Sequence, residues 1–238
     1  MDSPKTDSIY RYWGKYNAED GLVWHLLVYH CLDVAAVGHE LLRRDPQVFR
    51  KTVGAVPLRD EYVCSLIAFF LAVHDIGKFS ERFQGINPAL QSRLQGTACR
   101  MPYSHHHTTM GLRVFMREVW PRILDENRFG TDLNEDPFDL EDLFLPWIRA
   151  VTGHHGKPVT DSGTFPDLFS PMDREAACEF ARACSDLFLS EEPEEPVRYS
   201  TDLHESLTRV SWLIAGLAVL SDWIGSDAGI FRYHQEPM

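Results

Sequence analysis

Val73-His74-Asp75-Ile76-Gly77-Lys78-Phe79 closes an apolar run that begins near Tyr62. A histidine followed directly by an aspartate puts one nitrogen donor and one two-oxygen donor at adjacent backbone positions. The aspartate can bridge two divalent ions while the histidine anchors one of them. Alone the dipeptide is common in unrelated chains. Here it comes with His30 upstream, His105-His106-His107 and His154-His155 downstream, and Asp222 near the end. The ordered set carries the reading, because it predicts a fold that gathers these side chains at one point.

The flanking sequence reads as helix, with strand signals nearly absent. Over residues 21–43 the positions Val23, Leu27, His30/Cys31, Val34, Gly38 and Leu41 form one apolar stripe. A second helix is predicted from Arg59 to Val73, with Tyr62, Leu66, Phe69/Phe70 and Val73 inward and Gly77 ending it. A third is expected from His105 to Trp120, stopped by Pro121. Residues 124–142 carry eight carboxylates and read as an exposed connection with a short helix. Leu145 to Thr152 makes another helix with Pro146 in its first turn. Ser170-Pro171-Met172-Asp173 caps a helix to about Leu189, and 191–196 is a solvated linker. The last helix runs from Asp202 to Trp223 and, being apolar on most faces from Val210 to Leu220, should be central. One all-α domain spanning 1–238 is expected, a helical bundle around a central dinuclear metal site.

Helical phase selects among the candidates. His30 lies on the apolar stripe of its helix, whereas His25 and His39 fall off it. The plain alternative for His30 is a hydrogen-bonded core histidine. His107 shares a face with Gly111, Val114 and Phe115, and His106 with Met110, Arg113 and Arg117. His107 is therefore the better ligand and His106 its alternative, with His105 and His106 otherwise at the surface. Gly111 leaves room for a close neighbour. His154 and His155 would diverge by about 100° on a regular helix. Both can face one site only if the backbone turns, which Gly153 and Gly156 permit; otherwise they are surface loop residues. Asp222 follows small Ser211, Ala215 and Ala218 on one stripe. If buried it needs a cation or metal partner; if not, it simply reaches solvent.

Composition narrows the classes. The chain has 238 residues, 44% hydrophobic content and a formal net charge of -12, enough for one large core. Its charge opposes bulk attraction to a polyanion, so any nucleic-acid contact must come from ions, a local basic strip or a partner. Cys31, Cys64, Cys99, Cys178 and Cys184 have no C-x-x-C spacing. That disfavours structural zinc and a disulfide framework and fits a reducing, cytoplasmic setting. The start lacks a signal-peptide core, and Val210 to Leu220 is about half the length of a bilayer span. No membrane role is expected.

Nitrogen and oxygen donors without thiolate favour Mn, Fe, Co or Ni over structural Zn, with Mg also admissible. Two such ions about 3.5–4 Å apart clamp a phosphodiester and ready a water for attack.

These residues resemble the HD superfamily of metal-dependent phosphohydrolases. More narrowly, the chain resembles the HD nuclease domain of the CRISPR-associated helicase-nuclease of type I interference systems. The likeness covers nearly the whole chain. It rests on Tyr12-Trp13-Gly14-Lys15, His25 through Ala35, His74 through Phe79, Thr152-Gly153-His154-His155-Gly156 and Ser221-Asp222-Trp223-Ile224-Gly225-Ser226. The resemblance implies that His30, His74, Asp75 and Asp222 hold one ion. It further implies that Asp75 bridges to a second, held by His107, His154 and His155. His74, Asp75 and Lys78 would be catalytic, with Lys78 near the bound phosphate unless it is an ordinary surface lysine. The implied substrate is single-stranded DNA, nicked and then degraded as a helicase motor feeds it in. The motor in turn links the nuclease to an RNA-guided surveillance complex. No P-loop follows Asp222, so the motor is expected on a separate subunit or an excised part of the same protein.

Two other classes compete. An HD phosphohydrolase acting on nucleotides or cyclic nucleotides should show more basic groups than Lys78, Lys157 and scattered arginines. A non-catalytic HD scaffold should have lost ligands, and all seven are in place. Tyr10, Tyr12, Trp13 and Tyr16 could stack on bases, although packing of the N-terminal arm on the core is the simpler role.

Overall fold

The computed structural model describes residues 5–17, 23–157, 159, 168–189 and 191–238. A short antiparallel hairpin, β1 (Trp13–Asn17) with β2 (Val23–Leu26), leads, among the described residues, into ten α-helices. They are α1 (Leu27–Arg44), α2 (Pro46–Thr52), α3 (Asp60–Ala72), α4 (Glu81–Gln84), α5 (Pro88–Gln95) and α6 (His107–Val114). They continue with α7 (Trp120–Asp125), α8 (Pro137–Thr152), α9 (Pro171–Phe188) and α10 (Thr201–Gly225). The predicted helical class holds, with two short strands added.

Beyond its first turn α3 is apolar on almost every face, and the protein wraps it accordingly: every residue from Leu66 to Val73 is buried. Phe69 and Phe70 meet Phe115, Phe129, Phe144 and Trp147, an aromatic cluster that dominates the core. α1 packs on α3 and α10, and α8 on α10. Close backbone approach is confined to a few small residues. A methyl group added at Gly225 would meet Val34 at 3.0 Å, and one at Gly38 would meet the Leu71 side chain and Ser221. These, rather than Ser211 and Ala215, let α1 and α10 converge; the latter two are only half-buried.

Several boundaries depart from expectation. The stripe starting at Val23 begins as a strand, because Val23–Leu26 pairs with β1; α1 starts at Leu27, and residues 21–22 lie outside the described set. Gly77 does not end α3, which stops at Ala72; it lies in a following 3-10 turn, Ile76–Phe79. Pro121 does not stop the third helix. The backbone widens into a π-turn at Phe115–Val119, with the Trp120 N–H on the Phe115 carbonyl, and continues as α7, with Pro121 in its first turn. α8 begins at Pro137, capped by Asp136, so Pro146 sits inside it and the acidic stretch is partly helical. Ser170 caps α9 as expected, and with Asp173 it forms a capping box.

The last helix is not enclosed. Trp212, Leu213, Leu220 and Trp223 lie within about 100° of one another on α10 and are exposed, Trp212 and Trp223 by 70% and 72%. The apolar periodicity of α10 therefore reflects two faces, one on α8 and α1 and one open. By length and composition alone, Asp60–Phe79 and Thr201–Gly225 are long and apolar enough to cross a membrane, contrary to the shorter estimate from residues 210–220. The first is 89% buried within the protein and serves as its core.

Candidate metal centre

α3 delivers His74 and Asp75 at its C-terminal end, where the backbone leaves the helix and turns through Ile76–Phe79. That turn packs directly on the start of α6. A methyl group at Gly77 would lie 1.9 Å from the His107 carbonyl oxygen and 2.6 Å from the Gly111 nitrogen. Only glycine allows this approach, which sets Asp75 beside His107. The room left by Gly111 is used by the same turn and by Thr152.

The two Asp75 oxygens face different partners. Oδ2 lies 3.0 Å from His30 Nε2, 3.4 Å from His74 Nε2 and 2.6 Å from Lys78 Nζ. Oδ1 lies 3.4 Å from His107 Nε2 and 3.6 Å from His154 Nε2. Asp222, from the last turn of α10, joins the first set: its Oδ1 is 3.4 Å from His30 Nε2 and 3.8 Å from His74 Nε2. Two four- and three-membered groups result, His30/His74/Asp75/Asp222 and Asp75/His107/His154, all buried and sharing Asp75.

Backbone contacts fix which nitrogens point inward. His74 Nδ1 donates to the Leu71 carbonyl at 2.8 Å and His154 Nδ1 to the Val151 carbonyl at 2.9 Å. A carbonyl can only accept, so each ring carries a proton on Nδ1 and turns Nε2 toward Asp75. Metal-ligating histidines are typically held this way, the other ring nitrogen fixed by a backbone carbonyl. His107 Nδ1 is 3.2 Å from the Tyr103 hydroxyl, which also accepts from the His107 backbone N–H at 2.7 Å.

The electrostatics suit cations. His74 Nε2 and Asp75 Oδ1 are buried without a hydrogen-bond partner, a costly state that a divalent ion would relieve. Burial lowers His107 to about 2 and His154 to about 3, against the pull of Asp75, leaving both imidazoles neutral. Burial also lowers His30, outweighing its contacts with Asp222 and Asp75. His74 moves up to about 9: burial opposes this, but the Asp75 and Asp222 carboxylates prevail. Burial would raise both carboxyls; Lys78 and His74 hold Asp75 well below its usual range, and His30 and His74 do the same for Asp222. Nitrogen and oxygen donors with no thiolate fit a borderline transition ion.

His155 is placed differently from the sequence-based grouping. It is exposed, and its Nε2 lies 3.1 Å from His107 Nε2; it groups with His106 and His107, not with Asp75. His106 caps α6 rather than lying on it, so helical phase does not apply to it. Of its supposed solvated face, Met110 and Arg113 are buried. His105 is half-buried beside Ser104. His25 is buried off the stripe, 2.8 Å from Asp33, and takes no part in the centre. Lys78 is no surface lysine: it is 5% exposed, paired with Asp75, and donates to the Gly14 carbonyl at 3.1 Å.

Sequence reasoning missed Lys15, whose Nζ is 3.3 Å from Asp222 Oδ1, and Ser226, which donates to the same oxygen at 2.9 Å. Both stand in strings already singled out, Tyr12 through Lys15 and Ser221 through Ser226. Tyr12 and Trp13 are buried in the core, Tyr12 donating to Asp173 at 3.0 Å, whereas Tyr10 is half-buried and Tyr16 exposed.

A helical bundle with a buried His-Asp pair at its hub, collecting further imidazoles from other helices, is an HD fold. The family described as Cas3, HD domain, matches residues 13–231. The CRISPR-associated endonuclease/helicase Cas3 of Escherichia coli (strain K12) is 32% identical over 240 residues, covering 92% of this chain and 26% of that protein. The fold is shared with T. fusca Cas3 (TM-score 0.68, 20% identity, 93% of this chain and 23% of that one). It is also shared with the Thermus thermophilus cas3 HD domain in the presence of Ni2+ (TM-score 0.55, 21% identity, 97% and 81%). The chain belongs to the Cas3 HD domain family, a family of CRISPR-associated nuclease domains. It spans about a quarter of the length of its E. coli relative.

Proposed function

We propose that this chain is a single nuclease domain, 1–238, that cuts single-stranded DNA in type I CRISPR interference with two divalent transition ions. The observation that carries this is the division of Asp75: one oxygen faces His30, His74 and Lys78, the other His107 and His154. A carboxylate so placed would bridge two ions. His30, His74, Asp75 and Asp222 would hold one ion, and Asp75, His107 and His154 the other, with His155 at its outer side. Mn, Fe, Co and Ni suit these donors best. Bound ions would activate a water and offset charge on the phosphate during displacement.

The chain's own groups do the rest. Lys78 and Lys15 are cations on opposite carboxylates of the centre, and release of either ammonium when ions bind would free it to hold a phosphate oxygen. In a chain of net charge -12, this local pair supplies attraction that bulk charge does not. Catalytic roles are assigned to His74, Asp75 and Lys78.

The E. coli relative is named an endonuclease/helicase, and this chain spans 26% of it. We therefore assign a helicase motor, as domain or subunit, as the partner that delivers the strand and connects the nuclease to the surveillance complex in the cytoplasm. The open apolar face of α10, with Trp212 and Trp223, supports a protein partner there.

The test compares Mn-dependent hydrolysis of circular single-stranded DNA with that of nucleoside triphosphates and cyclic nucleotides, with a chelator control. Cleavage of the circle with free nucleotides spared is expected. Hydrolysis of nucleotides alone would replace this reading with a nucleotide phosphohydrolase; no activity and no bound metal would replace it with a scaffold.

A further inference from the structure

Three ring contacts lead outward from the metal centre to the surface of the hairpin. Phe83 meets His107 edge-on with centroids 5.4 Å apart, Trp13 meets Phe83 at 4.8 Å, and Tyr16 meets Trp13 edge-on at 5.1 Å. His107, Phe83 and Trp13 are buried, and Tyr16, 39% exposed, is where the series reaches solvent. Its base is held firmly. Gln84 accepts from the Trp13 N–H at 3.0 Å and donates to the carbonyls of Trp13 and Lys78 at 3.0 and 2.8 Å. β1 is thereby tied to the turn that follows Asp75. Tyr16 pairs with Trp24 across the hairpin, which puts both side chains on one face. The guanidinium of Arg93, itself exposed, lies over Trp24, 4.4 Å from the ring centroid. An accessible aromatic ring and an accessible cation therefore share one face of the hairpin.

We propose that Tyr16 stacks on a base of the DNA strand being cut and that Arg93 holds a neighbouring phosphate, so that the hairpin guides the strand outside the metal centre. This rests on the reading of the Asp75 centre as a single-strand nuclease. Stacking on a ring tolerates any sequence, because every base has a π-face. It also favours unpaired strands, since the bases of a duplex already stack on one another. Trp13 restrains the Tyr16 ring before any strand arrives, which lowers the ordering cost of binding. In a chain of net charge -12, Arg93 adds a local cation where bulk charge repels DNA.

The test is steady-state, Mn-dependent cleavage by the whole chain of oligothymidylate and of the same backbone built from abasic sites. The variants are Tyr16→Ala, Tyr16→Phe, Arg93→Gln and, as an exposed-tyrosine control, Tyr199→Ala. Loss of one stacked base weakens binding about 5- to 150-fold. Tyr16→Ala should therefore raise KM on oligothymidylate by about that factor with kcat little changed, while Tyr16→Phe and Tyr199→Ala match wild type. On the abasic strand, wild type and Tyr16→Ala should share one KM, because there is no base to stack on. Arg93→Gln should reduce the slope of log KM against log salt by about 0.7, the value for one phosphate of a single strand. Equal KM for wild type and Tyr16→Ala on oligothymidylate, or the same rise on both strands, overturns the stacking and leaves the nuclease reading intact. An unchanged salt slope in Arg93→Gln overturns the phosphate contact. A wild type that cleaves neither strand overturns the nuclease reading and the guide together.

Discussion

Gly77 and His107 touch through backbone: a single methyl group on the Gly77 Cα would sit 1.9 Å from the His107 carbonyl oxygen. This contact joins the turn carrying Asp75 to the helix carrying His107, so the distance between the two halves of the centre is set by a missing side chain.

Gly77→Ala is therefore expected to act twice. Overpacking against rigid backbone costs about 1–3 kcal/mol or more, seen as a lower midpoint in urea. It should also move Asp75 away from His107 and His154 and weaken the second ion more than the first. A variant of wild-type stability and wild-type ion binding would contradict the contact.

Tyr103→Phe removes the hydroxyl that holds His107. Loss of such an outer-shell partner costs about 10–100-fold in metal affinity. Calorimetric titration should show that loss in the second ion, with the ion at His30, His74 and Asp222 nearly unchanged. Equal weakening of both ions would mean the tyrosine supports the fold rather than the ring.

Acid and base act on different residues in the ion-free protein. His107 and His154, lowered to about 2 and about 3, take up protons more readily when unfolded. Their contribution to stability is present above about pH 6.5 and is lost as pH falls below it. His74, raised to about 9, contributes stability below about 6.5 that is lost as pH rises through about 9. Melting temperature without metal should thus peak near neutrality and fall on both sides. His74→Gln should remove the alkaline loss selectively; an unchanged alkaline limb would contradict the assignment.

Ion binding should release protons at neutral pH, because His74 must be neutral to ligate. Calorimetry in buffers of different ionisation enthalpy is expected to show about one proton released with the first ion at pH 7, and less near pH 10. Absence of buffer dependence at pH 7 would place the first ion elsewhere.

The helical core was legible because Tyr62, Leu66, Phe69, Phe70 and Val73 recur at helical spacing, and all are buried. His30, His107 and Asp222 were legible by helical phase, whereas His74, Asp75 and His154 lie in turns just beyond α3 and α8 and were picked out by the adjacent His-Asp pair and the glycines flanking His154. Phase fails where the backbone is not helical. His106 is a cap, and His155 lies within a turn just before Gly156, which at φ 99° takes the left-handed conformation. The hairpin escaped notice because its strands are five and four residues long. Pro121 misled because a π-turn precedes it, and α10 because periodicity does not reveal whether an apolar face is covered. Lys15 meets Asp222 across the fold, a contact with no local signal.

The bridge itself is best tested by anomalous scattering from crystals of this chain soaked in Mn. Two peaks about 3.5–4 Å apart, one on each oxygen of Asp75, with His30, His74 and Asp222 on one side and His107 and His154 on the other, are expected. A single peak, or a pair that does not share Asp75, would contradict the dinuclear centre.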